Sequence, residues 1–542
     1  MIIKLIEHNP KLSIAVIAII MLAFNMDVLE VTIMEARNFI TAREMLTDGN
    51  WLLTTMNGEP RYQKPPLPTW LAAISAFFFG IKSVFAMRLP GFLMVIALAK
   101  YNYLLSNQLL KNKQHSLING LLTLTSFYVI GIVIEAPWDI FTHGFMLIGI
   151  YHLFQLFGKD KGYWKHTLMA GVCIGLSIMS KGPISFYALL LPFLIAYGLV
   201  YKYKHFKAKW FSVFSLLLLA LVIGGWWYLY VRYADPETFL EITKKETGNW
   251  SSYNVRPFYY YWSFFTQSGL WTIPAFVSLL YPYLKTRVSH LKAYKFTLLW
   301  TLLAVVLLSI IPEKKSRYLM PVLIPLALNV GFYIEYLFRR FKNLTDKRET
   351  VPVYFNFGLI SLIGLAFPVA GYLLLKDTLT SGWLQFSLAA IVLFALGVLL
   401  LKALIKKQIK FVFYLCIGFM VAVFLFVVPL SIYLKQDNYN PISSLKVELD
   451  KASEDLFSLG DPSPEIIWNY GGKIKPFDIN NLENQNEPLN IIVQTAQKED
   501  LEKLEQNYTI EFITTYSLNT VSEGTRGYKD RLSYNYYRLT QK

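Results

Sequence analysis

Residues 383–401 read WLQFSLAAIVLFALGVLLL, residues 402–410 read KALIKKQIK, and residues 411–434 read FVFYLCIGFMVAVFLFVVPLSIYL. Each apolar run is long enough to cross the roughly 30 Å hydrocarbon layer of a bilayer as a helix rising about 1.5 Å per residue, and neither carries a charge. The link between them holds Lys402, Lys406, Lys407 and Lys410. Such a link belongs at a membrane surface, and its charge assigns that surface to the cytoplasm. This stretch sets the class: an all-α polytopic membrane protein whose spans are joined by basic cytoplasmic turns.

Worked outward, the same pattern repeats. Comparable runs recur at about 12–29, 88–110, 116–134, 138–157, 166–180, 184–200, 210–231, 268–284, 294–311, 318–338 and 353–375, which with the two quoted runs predicts about 13 transmembrane helices. The composition agrees: of 542 residues 54% are hydrophobic and 16% charged, which excludes an ordinary water-soluble enzyme. The run Leu67–Gly80 is short and follows Lys64-Pro65-Pro66, so it reads as a helix lying along the interface. With the N-terminus inside, the cytoplasmic segments carry 24 Lys and Arg and the longer outer segments 15. That is the expected bias, and it would invert if residues 67–80 crossed. The first run follows Lys4 and Lys11 as a signal peptide would, but no small-x-small site follows it, so it reads as a retained span.

Beyond Leu434 the character changes. Residues 435–542 hold 17 acidic against 12 basic residues, with strand-like stretches at 489–493 and 508–513 and a helical one at 498–506, so they read as a small soluble α/β domain. An odd number of spans puts this domain in the periplasm. The expected organisation is a transmembrane domain over 1–434, with outer interfacial helices at about 35–48 and 67–80, and a periplasmic domain over 435–542. The formal charge of +16 then belongs to the membrane part, which argues against a nucleic-acid partner. Cys173 and Cys416, the only cysteines, both lie in apolar runs and form no metal motif.

The outer segments collect the unusual residues: Glu35, Arg37, Arg43, Glu44, Arg61, Lys64, Glu135, Asp139, Lys181, Arg256, Glu313, Lys314, Lys315, Arg317 and Tyr318. Charges at span ends are costly unless paired or hydrated, so a set drawn from several outer loops suggests one polar cavity. Residues 35–48 read as a helix parallel to the membrane, with Arg37, Thr41 and Glu44 on one face, ended by Gly49. Its charges would equally well solvate a surface helix. Prolines at 65, 66 and 68 stiffen the chain beside Lys64, although a snorkelling lysine would look the same. Lys314, Lys315 and Arg317 run against the positive-inside bias, and a lipid-linked phosphate is the simplest anion to compensate them. Lys181 has the same character, followed by Gly182 and Pro183. The histidines are scattered and no Walker loop or HExxH motif occurs.

At these residues the chain resembles the polytopic C-type glycosyltransferases related to bacterial aminoarabinose–lipid A transferases and protein O-mannosyltransferases. The likeness runs from about Met34 to Leu328. It rests on Glu35-Ala36-Arg37 through Leu46, Gly49-Asn50-Trp51, Gly58 through Leu67, Arg88-Leu89-Pro90, Ser180-Lys181-Gly182-Pro183, Arg256-Pro257 with the aromatic residues 258–261, and Lys315 through Pro321. It implies a C-type glycosyltransferase fold in the cytoplasmic (inner) membrane. The implied reaction moves a hexose or pentose from a polyprenyl-phosphate carrier to a lipid (lipid A-like), protein or glycan acceptor at the outer face. Neither nucleotide sugar, ATP nor any other cofactor is expected.

By the same resemblance a carboxylate deprotonates the acceptor while cations receive the departing lipid phosphate. Glu35 is the candidate base, with Glu135 and Asp139 as alternatives, because the family's usual Asp-Glu pair is Met34-Glu35 here. Lys64, Lys181, Lys315 and Arg317 are assigned to phosphate and sugar oxygens and Arg37 to orienting a carboxylate. Arg61, Arg256, Lys314 and Tyr318 complete the substrate-binding set. Where the aminoarabinose transferases place a Glu and a His around a metal, this sequence has Gln63 and about Asn254, so no metal is expected. A monomer is expected. The competing readings are a ligase or polymerase using lipid-linked glycans and, from another class, a transporter or flippase, for which Lys100 inside a span is the one suggestive residue.

Overall fold

The computed structural model describes residues 2–135, 137–203, 206–434, 438–477, 489–497, 501, 504–505 and 507–542. Eight of its helices are long and apolar enough to cross a membrane: Val84–Leu110, Pro137–Gly158, Phe206–Ala234, Leu291–Ile310, Ser316–Asn343, Lys347–Leu375, Trp383–Ile405 and Ile409–Tyr433. They become ten if two bent pairs each count as one span, Ile2–His8 with Pro10–Asn25 and Lys113–Thr125 with Phe127–Glu135. The protein is a mostly helical, multi-pass membrane protein. Three of the expected runs fall outside this set for local reasons. Residues 166–180 form the helix Trp164–Lys181, whose basic ends dilute its hydropathy. Residues 184–200 form the shorter apolar helix Phe186–Val200. Residues 268–284 are broken into short turns by Gly269, at φ 65°, and by Pro274 and Pro282.

Close helix contact holds the apolar bundle together. A Cβ added to Gly364 would meet the Leu393 carbonyl at 2.6 Å, and one on Gly397 would meet the backbone of Leu365 at 2.8 Å. Lys347–Leu375 and Trp383–Ile405 therefore pack backbone to backbone, as small residues allow where lipid offers no hydrophobic drive between helices.

The C-terminal part is built on a five-stranded sheet in the order Lys475–Pro476, Leu456–Leu459, Leu489–Gln494, Ser533–Gln541, Tyr508–Ser517. The first three are parallel and the last two antiparallel to their neighbours. Leu489–Val493 is buried on both faces, which explains its unbroken apolar run. The two expected strands are present, the second extended to Ser517. The helix expected over 498–506 lies largely outside the described residues.

The helix Ile33–Asp48 differs most from expectation. Its start and stop follow the sequence: Thr32 and Glu35 form a capping box, and Gly49 closes it at φ 77°, a left-handed conformation glycine adopts freely. It is not an exposed surface helix, however. Ten of its residues, Arg43 and Glu44 among them, are buried. Its Phe39 ring meets Trp468 of the C-terminal part at 5.2 Å, and Ile40 joins a core with Ile442, Leu445, Ile466 and Tyr534. On the opposite side Asn38 accepts a hydrogen bond from Thr69 at 2.8 Å, tying it to the helix Leu67–Phe79.

Candidate active site

Glu35 is fully buried and held by Arg88, whose Nε donates to Oε1 at 2.7 Å and Nη2 to Oε2 at 3.0 Å. The backbone N–H of Thr32 donates to the same carboxylate at 3.1 Å. Arg88 in turn donates to the carbonyls of Met26 and Glu30. Glu35 thus caps a helix and fixes an arginine, and its oxygens are engaged before any substrate arrives.

Asp139 is differently placed. It opens the helix Pro137–Gly158, is 1% exposed and is ion-paired through Oδ1 with Lys181, while Oδ2 has no hydrogen-bond partner among the described residues. The charge of Arg317 also acts on it, and Lys64 and Arg317 act on Lys181. Lys181 Nζ lies 5.2 Å from the centre of the Tyr318 ring and Arg317 Cζ 5.8 Å from it. Arg317 Nε is buried and likewise unpartnered among the described residues. Loops far apart in sequence therefore converge on one carboxylate and several cations. Gly182 ends the Lys181 helix at φ 81°, and a Cβ there would lie 3.0 Å from the Tyr228 hydroxyl.

A second group borders the first. Arg61 donates to the Arg37 carbonyl at 2.5 Å and to Thr41 Oγ1 at 2.8 Å, and its guanidinium lies 5.1 Å from the centre of the Trp138 ring, next to Asp139. Burial and the neighbouring Arg37 charge push its pKa down to about 9, so it remains charged at neutral pH. Tyr62 donates to Asp235 at 3.0 Å, and burial first, then that carboxylate, pushes the phenol up to about 12. Lys64 is 3.4 Å from Glu246, both partly exposed.

Other predicted site residues have different partners. Lys314 is 3% exposed and donates to the carbonyls of Arg256, at 3.0 Å, and Ile311, at 2.6 Å, which makes it a tie between two loops. Lys315 pairs with Glu313 at 2.6 Å, and Tyr318 donates to the same carboxylate at 3.1 Å. Arg256 is exposed, its backbone N–H bonded to the Pro312 carbonyl. Glu135 is exposed and accepts from Tyr128 at 2.5 Å. Gln63 is exposed, and Asn254 holds the Lys314 N–H through its carbonyl.

Sequence reasoning missed a hairpin. Thr55–Met56 pairs antiparallel with Glu59–Pro60 across Asn57 and Gly58, both at positive φ. An Asn-Gly pair is the strongest short-range signal for such a type I′ turn, so it was there to be found. Glu44 holds it, accepting from Thr55 Oγ1 at 2.6 Å, Asn57 N at 2.6 Å and Gly58 N at 3.3 Å.

Fold and site together define a multi-pass membrane protein with a carboxylate-and-cation cluster between its helices and a capping sheet domain. A family model described as dolichyl-phosphate-mannose-protein mannosyltransferase matches residues 63–228. An undecaprenyl phosphate-alpha-4-amino-4-deoxy-L-arabinose arabinosyl transferase of Pseudomonas fluorescens is 27% identical over 55% of this chain and 52% of its own length. An uncharacterised Aquifex aeolicus protein is 26% identical over 56% of this chain and 60% of its own. The matched region thus spans little more than half of these relatives. The crystal structure of ArnT from Cupriavidus metallidurans in the apo state has the same fold, with a TM-score of 0.69 over 97% of both chains at 14% identity. These matches support the family read from the sequence, the polytopic C-type glycosyltransferases.

Proposed function

We propose that the chain transfers a sugar from a polyprenyl-phosphate carrier to an acceptor at the outer face of the inner membrane. The observation that carries this reading is the buried Asp139–Lys181 pair with Arg317 and Lys64 in electrostatic reach. In such a reaction the bond from the anomeric carbon to the phosphate oxygen breaks as an acceptor oxygen attacks. Negative charge gathers on the leaving phosphate, and the acceptor gives up a proton. Lys181, Arg317 and Lys64, with Arg37 and Arg61 beside them, are suited to the phosphate. Asp139 is suited to the proton, because one oxygen lacks a partner and its lysine would turn to the arriving phosphate. Glu35 is reassigned from base to structural anchor on the strength of its fork with Arg88, and Lys314 from substrate contact to loop tie.

The likeness to ArnT, also solved bound to undecaprenyl phosphate with a TM-score of 0.68, supports a carrier of that class. The reading includes thirteen spans over 1–434, the broken and short helices at 164–200 and 268–284 among them, and interfacial helices at 33–48 and 67–79. It also includes a periplasmic domain over 435–542 and a monomeric enzyme whose acceptor is a lipid A-like lipid, a protein or a glycan. Mass spectrometry of lipids and glycoproteins from cells with and without the gene tests it. A sugar present on one acceptor only when the gene is intact is expected. Identical profiles, with wild-type membranes inert toward a polyprenyl-phosphate sugar, would overturn it.

A further inference from the structure

The C-terminal domain grips the hairpin that leads to Lys64: Met56 packs against its core, and the hydrogen bonds come from Asn57. Asn57 Nδ2 donates to the Ile474 carbonyl at 2.7 Å, and the Ile474 N–H donates back to Asn57 Oδ1 at 2.8 Å. The side chain thus pairs with the backbone as another strand would. Nearby, Arg43 donates to the carbonyls of Ile467, Trp468 and Gly472 at the end of the helix Pro464–Tyr470. Burial pushes the Arg43 pKa down to about 10. Lys473 pairs with Asp48 at 2.7 Å.

The hairpin's base matters as much as its tip. Arg61 N donates to the Thr54 carbonyl at 2.8 Å and Thr54 Oγ1 to the Arg61 carbonyl at 2.6 Å, so the hairpin closes on the residue whose guanidinium lies against Trp138, with Lys64 three residues on. A two-stranded hairpin alone is marginal in water. Its order must come from both sides, from Glu44 beneath and Ile474 above.

We infer that Asn57 is a positioning residue through which the sheet domain holds Arg61 and Lys64 ready for the carrier phosphate. This rests on the donor assignment above. Without the grip, ordering the loop becomes a cost of each binding event instead of part of folding, and affinity falls.

The test uses the full-length protein and undecaprenyl phosphate as the probe, with direct binding measured for wild type, Asn57→Gly and Asn57→Asp. Glycine accepts the left-handed turn conformation and removes both hydrogen bonds, so about tenfold weaker binding is expected. Aspartate keeps the bond from the Ile474 N–H but cannot donate to its carbonyl, so its affinity should fall between the two. Wild-type affinity in Asn57→Gly would overturn the positioning role, and should that variant fail to fold, wild-type affinity in Asn57→Asp would do so. Absence of binding by the wild type would instead remove the donor assignment, and this inference with it.

Discussion

Arg88 and Glu35 form a two-point fork, 2.7 and 3.0 Å long, with side chains 2% and 0% exposed. They sit 53 positions apart, in two of the sequence runs that carry the family resemblance. The fork pins the entry of the Ile33–Asp48 helix onto the helix Val84–Leu110. A carboxylate so committed is poorly placed to accept a proton from a substrate.

Replacing Glu35 with Gln should therefore act on stability before chemistry. It leaves Arg88 buried without its counter-charge, a loss of about 3–5 kcal/mol for such pairs. Thermal unfolding in detergent should show a clearly lowered midpoint. Replacing both partners with apolar residues, Glu35→Leu with Arg88→Met, should be milder than either single change. A Glu35→Gln protein as stable as wild type but unable to transfer sugar would restore Glu35 as the base.

Asp139→Asn should have the opposite profile. Removing a general base costs typically about 10²–10⁴-fold in rate, so sugar transfer should fall by that order while undecaprenyl phosphate still binds. Glu135→Gln should stay near wild type, because that carboxylate is exposed and held by Tyr128. Equal turnover by Asp139→Asn and wild type would move the base elsewhere.

The neighbouring cations should separate by role. Arg317→Ala removes a guanidinium whose Nε has no partner among the described residues, and Lys64→Ala removes an ammonium loosely paired with Glu246. Both should weaken carrier binding with little change in unfolding temperature. Lys314→Ala frees the carbonyls of Arg256 and Ile311, so its signature is a lower unfolding temperature. Titrating undecaprenyl phosphate into each variant, alongside a thermal melt, distinguishes the two patterns; Lys314→Ala losing affinity at wild-type stability would return it to the binding set.

Much of this is legible in the sequence because it is local. Apolar length gives the spans, Gly49 stops its helix, and the unbroken run at 489–493 marks a strand buried on both faces. What hydropathy averages away is the backbone: the positive φ of Gly269 breaks an apolar run without changing its composition. Residue type also does not reveal partners. Glu35 and Asp139 look alike as outward carboxylates, and only the fold gives one an arginine fork and the other a lysine with an oxygen to spare. The burial of Arg43 follows from a domain more than 400 residues away in sequence, which no local pattern encodes.

The resemblance points to a site where relatives use a carboxylate and an imidazole, and here Gln63 and Asn254 stand in those places. A neutral amide oxygen brings no charge and little basicity to a divalent cation. Gln63, moreover, is exposed. The cations around Asp139 would also repel a metal while they serve the phosphate. Sugar transfer by membranes treated with EDTA should therefore match that of untreated membranes, and added Zn²⁺ should not raise it. Loss on chelation with recovery on Zn²⁺ would show that other ligands complete a site, and Gln63→Ala would then test whether this loop belongs to it.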